Sequence, residues 1–174
     1  MSRKTAYLTK AAVIAALYAA LTYASAALNL AYGAVQFRIS EALTILPIFT
    51  PAAIPGLVVG CIVSNITSTI NPIDMVVGSL ATLLAALLTR KLRHITVKKL
   101  PFFSLLAPVL MNAVFVGAEI AWFETNGDRA AFPAAFWVGF AGVFIGEAAV
   151  CFLLGSGLYF LIRKDKRLSA LLQN

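Results

Sequence analysis

The chain has 174 residues, the length of about one domain. It is 61% hydrophobic and 12% charged, with mean hydropathy +0.90, whereas soluble domains carry about 25% charged residues. A water-facing globule is excluded, which leaves an integral membrane protein forming a single membrane-embedded domain over 1–174.

The formal net charge is +7, but its placement argues against nucleic acid as a partner. Twelve of the fourteen Lys and Arg residues fall in clusters at 3–10, 90–99 and 163–167. Basic clusters separated by long apolar stretches obey the positive-inside rule. They place both termini on the cytoplasmic side, within reach of anionic lipid headgroups.

A spanning helix needs roughly 20 apolar residues, so six of them would use about 120. The first span is 11–30, after a short basic head. Its Ala24-Ser25-Ala26 also has the form of a signal cleavage site, but the chain beyond residue 30 is itself membrane-embedded. An outer loop at 32–38 leads into 39–70, which is apolar but broken by Pro47, Pro51 and Pro55. This reads as a helical hairpin turning near 49–53, with Thr50 capping a helix that opens at Pro51. About 16 residues per leg reach roughly 24 Å at 1.5 Å per residue, short of a ~30 Å hydrocarbon core. Asn71-Pro72 marks an outer turn. Three further spans lie at 74–89, 101–123 and 133–162, joined by the basic loop 90–99 and the polar outer loop 124–129. Both ends inside requires an even number of spans. Six fits, and four fits if the hairpin is re-entrant. The fold class is therefore an all-α membrane protein, read here as six transmembrane helices.

Ionisable groups inside spans are costly and usually functional. Asp74 and Glu147 each stand 16 residues from a basic cluster, about 24 Å along a helix, and Glu119 stands 20 residues away, about 30 Å. Glu41 comes just after the outer loop. These four carboxylates form one expected layer in the outer half of the bilayer, with Arg38 the cation nearest in sequence. Such a layer suits a cationic ligand or one rich in N–H donors. Plainer readings exist for each member but Glu147: an Arg38–Glu41 pair, a helix-start role for Asp74, and outer water around Glu119. Glu147 lies between Gly146 and Ala148 with no local cation, and so carries the strongest functional reading. Asn112 shares a helix face with Glu119. It and Asn65 are candidate ligand contacts, or else polar glue between helices. Trp122 and Trp137 offer a flat ring for stacking, or an interfacial aromatic belt.

The first span carries small residues at Ala12, Ala16, Ala20 and Ala24, flanked by Ala11, Ala15 and Ala19, a pattern that lets another helix approach closely. Cys61 and Cys151 lie in apolar runs without metal-ligand spacing and read as buried packing thiols. No GxxxxGK[ST] loop, HExxH or nucleophile-elbow pattern occurs, and the single histidine, His94, falls in the basic loop. No catalytic residue, metal or cofactor is expected.

The stretch Val35-Gln-Phe-Arg-Ile-Ser-Glu-Ala-Leu-Thr-Ile-Leu-Pro-Ile-Phe-Thr-Pro-Ala-Ala-Ile-Pro-Gly56 resembles the QueT-like substrate-binding (S) components of energy-coupling-factor (ECF) transporters, which take up queuosine precursors. Gly78-Ser-Leu-Ala-Thr-Leu-Leu-Ala85 and Pro108-Val-Leu-Met-Asn112 are similar too. The resemblance runs over nearly the whole chain. It implies a six-helix S component with an outward-opening pocket, partnered by a transmembrane T component and two ATPases, and docked through an alanine-rich face of the first helix. The implied substrate is 7-aminomethyl-7-deazaguanine, its 7-cyano analogue or queuine. A deazaguanine presents a ring N–H and an amino group that one carboxylate accepts as a pair. Its carbonyl needs a donor such as Asn112, Asn65 or Arg38, and an aminomethyl cation needs a second carboxylate. Glu147 and Glu119 are the candidates for the two carboxylate roles, in either order. The competing reading is a self-sufficient, proton-coupled secondary transporter. Inverted repeats often mark such folds, and none is visible here.

Overall fold

The computed structural model describes residues 2–31, 35–68 and 72–173. Tyr32, Ile70 and Asn71, parts of the two expected outer turns, lie outside them. Among the described residues every regular element is a helix. In chain order these are α1 (Arg3–Ala27), a 3-10 helix (Ile39–Ile48), α2 (Ala53–Asn65), α3 (Ile73–Lys91), α4 (Phe102–Glu124), α5 (Phe132–Lys164) and α6 (Lys166–Gln173).

Four helices, α1, α3, α4 and α5, are long and apolar enough to cross a membrane. The two hairpin legs are not. Ten residues of 3-10 helix at ~2.0 Å per residue and thirteen of α-helix at ~1.5 Å each give about 20 Å. The turn falls at Phe49, as the prolines indicated. Thr50 does not cap α2 with its side chain: the helix opens at Ala53 without a side-chain cap, and Thr50 accepts from the Ala53 N–H through its carbonyl at 3.3 Å. α1 starts eight residues before the apolar run, because the Ser2 hydroxyl caps the Thr5 N–H at 3.2 Å and draws the basic head into the helix. It stops where Asn29 takes a left-handed φ of 57°, a conformation Asn tolerates better than most residues.

Proline also shapes α4. In a regular helix the N–H of residue 108 would bond to the carbonyl of Ser104; Pro108 has no N–H to give. The freed Ser104 carbonyl accepts from the Thr89 hydroxyl at 3.0 Å, and the Ser104 hydroxyl returns a bond to the Thr89 carbonyl at 3.1 Å. This reciprocal pair ties the end of α3 to the start of α4. Within α5, residues Val150–Gly155 widen into a π-helix, and this segment packs against the 3-10 helix.

Glycine sets how closely the helices approach. A Cβ on Gly60 would lie 2.8 Å from Tyr18 Cβ and 2.9 Å from the Ala15 carbonyl, and one on Gly56 would lie 2.7 Å from the Ala11 carbonyl. The α1–α2 crossing thus uses the Ala11, Ala15 and Ala19 stripe inside the chain, where Ala15 and Ala19 are buried. Ala12, Ala16 and Ala20 form a separate, exposed stripe. The six alanines expected to act together therefore divide into an internal face and an external one. Gly117 and Gly139 mark the matching contact of α4 with α5.

The basic clusters gather at one end. Lys10 donates to the Leu172 carbonyl at 3.3 Å, joining α1 to α6, and Arg90 donates to the Pro47 carbonyl at 2.9 Å beneath the hairpin. Large apolar side chains cover the outside of the bundle; Leu153, for example, is 72% exposed. A surface of that kind belongs against lipid.

Candidate functional site

The opposite end of the bundle holds a buried polar layer. Glu41, Asp74, Glu119 and Glu147 are all buried, and so is Arg38. Their elements run in alternating directions. The layer therefore draws on the starts of the 3-10 helix and α3, the outer half of α4 and the middle of α5. Among the described residues Arg38 is the one buried cation. Four acids around one arginine leave a site with an excess of acceptors.

Two hydrogen-bonded groups build the inner part. Asn112 Nδ2 donates to Glu147 Oε1 at 3.0 Å, across the α4–α5 contact. Cys151 Sγ lies 3.8 Å from Glu147 Oε2 and 3.8 Å from the Glu41 carbonyl. Glu41 accepts at Oε1 from the Tyr18 hydroxyl of α1, and its Oε2 has no partner. Beside Tyr18, Thr22 donates to the Ser40 hydroxyl at 2.7 Å. Asn65 and Asp74 lie at the α2–α3 junction, where Asn65 Nδ2 donates to the Asp74 carbonyl at 3.0 Å. Asn65 Oδ1 has no partner. Asp74 is in the first turn of α3, where the helix dipole favours an acid.

The segment before the 3-10 helix folds across this layer. Arg38 Nε donates to the Ala31 carbonyl at 3.0 Å, and the Ile39 N–H donates to the Ser25 hydroxyl at 3.0 Å. Gln36 is buried against α5 so closely that a Cβ on Gly146 would lie 2.0 Å from its carbonyl oxygen. Glycine at 146 thus lets this segment cover the residue next to Glu147.

Glu119 stands apart from these bonds. It is 6% exposed, and neither carboxylate oxygen has a hydrogen-bond partner. It lines a cavity of about 460 Å³ between α3, α4 and the start of α5, whose other walls include Phe115, Trp122, Phe123 and Phe132. Small-molecule sites are mostly apolar pockets of this size with a few placed polar groups. Trp122 is half exposed and is fixed from behind by Gly127, where a Cβ would meet the indole at 3.3 Å. Trp137 is not part of this cavity. It is 64% exposed and packs edge-on against Phe136 and Phe140 on the outside of α5.

Sequence reasoning singled out the acids and amides but not Tyr18, Thr22 or Ser40, and it read Cys151 as packing alone. The signal for α1 was present: Tyr18, Thr22 and Ser25 recur at helical spacing on one face and are all buried.

The family model described as QueT transporter matches residues 8–164. Neither a curated protein nor a solved structure matches. Nearly the whole chain is thus covered by one family of transporters, consistent with the four helices among the described residues that are long and apolar enough to cross a membrane and with a role that is not enzymatic. The chain belongs to the QueT transporter family.

Proposed function

We propose that this chain is the substrate-binding subunit of an ECF importer. It captures a queuosine precursor (7-aminomethyl-7-deazaguanine, its 7-cyano analogue or queuine) from outside the cell. The carrying observation is Glu119, which lines an aromatic cavity and whose two buried carboxylate oxygens have no hydrogen-bond partner. A buried acid without partners is unfavourable unless a ligand supplies the donors. A 7-deazaguanine has a donor-rich edge for a carboxylate and a flat ring for Trp122 and the phenylalanines. Asn112, seven residues back along α4, and Glu147 bonded to it lie outside the cavity lining and are the further contacts in this reading. Arg38, Glu41, Asp74 and Asn65 set the charge and shape of the layer around them.

Six membrane elements complete the fold in this reading, with the short hairpin as two of them and both termini cytoplasmic. The exposed Ala12, Ala16 and Ala20 stripe docks on a transmembrane T component, and two ATPases of the same module supply the energy. The chain carries no nucleotide-binding loop of its own.

Reconstituted uptake tests this. The chain alone in proteoliposomes should bind but not accumulate substrate, and adding the T component and ATPases should give ATP-dependent uptake. Uptake by the chain alone, abolished by collapsing the proton gradient, would instead establish a proton-coupled secondary transporter.

A further inference from the structure

A second cavity, of about 700 Å³, opens at the basic end between the turn after α3 and the last turns of α5. Its lining is Thr96, Lys99, Phe160, Arg163 and Lys164. Three cations and a hydroxyl therefore surround one space. The nearest acid in sequence, Asp165, is engaged elsewhere: its Oδ1 accepts from the Arg167 and Leu168 N–H groups at 2.8 and 3.3 Å, starting α6.

The Arg163 side chain and the Lys99 backbone are each held in place. Arg163 donates from Nη1 to the Tyr159 hydroxyl at 2.9 Å and lies 5.5 Å from the centre of that ring. Tyr159 is itself buried and packs on Phe49 of the hairpin turn. Lys99 sits in a tight turn closed by Val97 N–H to Leu100 carbonyl at 2.8 Å and by the reverse bond at 3.0 Å. Both central residues, Lys98 and Lys99, have left-handed φ values, 50° and 69°. Asn and Gly normally fill such a turn, and a long side chain there is uncommon. The sequence keeps lysine at a backbone position that disfavours it.

The remaining wall is apolar. Phe160 is 48% exposed, so the cavity has an apolar side chain on the outer surface of α5 in its wall. It lies where the apolar helix ends and the charged end begins. A soluble anion has no use for that apolar wall, whereas a lipid phosphate brings its own hydrocarbon. Basic pockets at the cytoplasmic ends of membrane helices bind anionic headgroups in this way. From the meeting of Lys99, Arg163, Lys164 and Thr96 with the exposed Phe160, we infer that this cavity binds the headgroup phosphate of an anionic phospholipid.

Native mass spectrometry of the full chain, titrated with phosphatidylglycerol or phosphatidylcholine, tests this. Phosphatidylglycerol should bind in preference. The double variant Lys99→Gln/Lys164→Gln should weaken its binding roughly thirtyfold, from the attraction per charge near an anionic surface. Arg129→Gln removes a charge at the opposite end of the bundle, outside the cavity, and should leave binding unchanged. Equal losses in both variants, or no preference between the lipids, would overturn the inference. Displacement of phosphatidylglycerol by inorganic phosphate would overturn it too, by making this a site for soluble anions.

Discussion

Glu147 is buried, bonded to Asn112 and within sulfur-contact distance of Cys151. Glu147→Gln keeps the shape but replaces one acceptor oxygen by an amide NH2 that can only donate. A mismatched buried polar group costs about 1–3 kcal/mol, so substrate affinity should fall about tenfold while the protein stays folded, as calorimetry and thermal melting would show. Tyr18→Phe acts differently. It removes the donor to Glu41 Oε1, whose second oxygen already has no partner. An unsatisfied buried acceptor costs about 1–3 kcal/mol, so the melting temperature should drop, and an unchanged melt would contradict the assigned bond. The acids of this layer were legible because ionisable residues stand out in an apolar sequence and helical rise gives their depth. Tyr18 and Cys151 were not. Each resembles its apolar neighbours until the fold brings a carboxylate or carbonyl against its polar atom.

At the scale of elements, the α1–α2 contact depends on absent side chains. Gly60→Val would place a Cβ against the backbone of Ala15 and the Cβ of Tyr18. Neither is the flexible end of a side chain, so the helices must separate. Overpacking of this kind costs about 1–3 kcal/mol and should also disturb Tyr18 and the layer it serves. Ala16→Leu on the exposed stripe should leave melting and substrate binding unchanged but block assembly with a T component, read by co-purification. Both variants losing substrate binding would contradict the division of α1 into two faces. The sequence showed both alanine stripes but could not say which faced inward, since both are equally apolar. The proline-marked hairpin was legible because Pro restricts the backbone locally. The 3-10 geometry of its first leg and the π-helix of α5 were not, because helical pitch there depends on how the two segments pack together.

For the whole molecule, the start of α1, α6 and the loop after α3 lie at one end, and the loop after α4 lies at the other. Cys61 and Cys151 are buried, so introduced cysteines can report topology with little background. A membrane-impermeant thiol reagent should label Asp128→Cys on intact cells, and His94→Cys only after permeabilisation. Labelling of both on intact cells would contradict the orientation given by the basic clusters. The central claim is that the solitary chain captures a queuosine precursor in the layer of Glu119, Asn112 and Glu147. Calorimetric titration of the purified chain with the aminomethyl, cyano and queuine ligands, with guanine as control, tests it most directly. Submicromolar binding of at least one of the three, strongly weakened by Glu147→Gln, is the predicted result; binding of none of them would contradict the account.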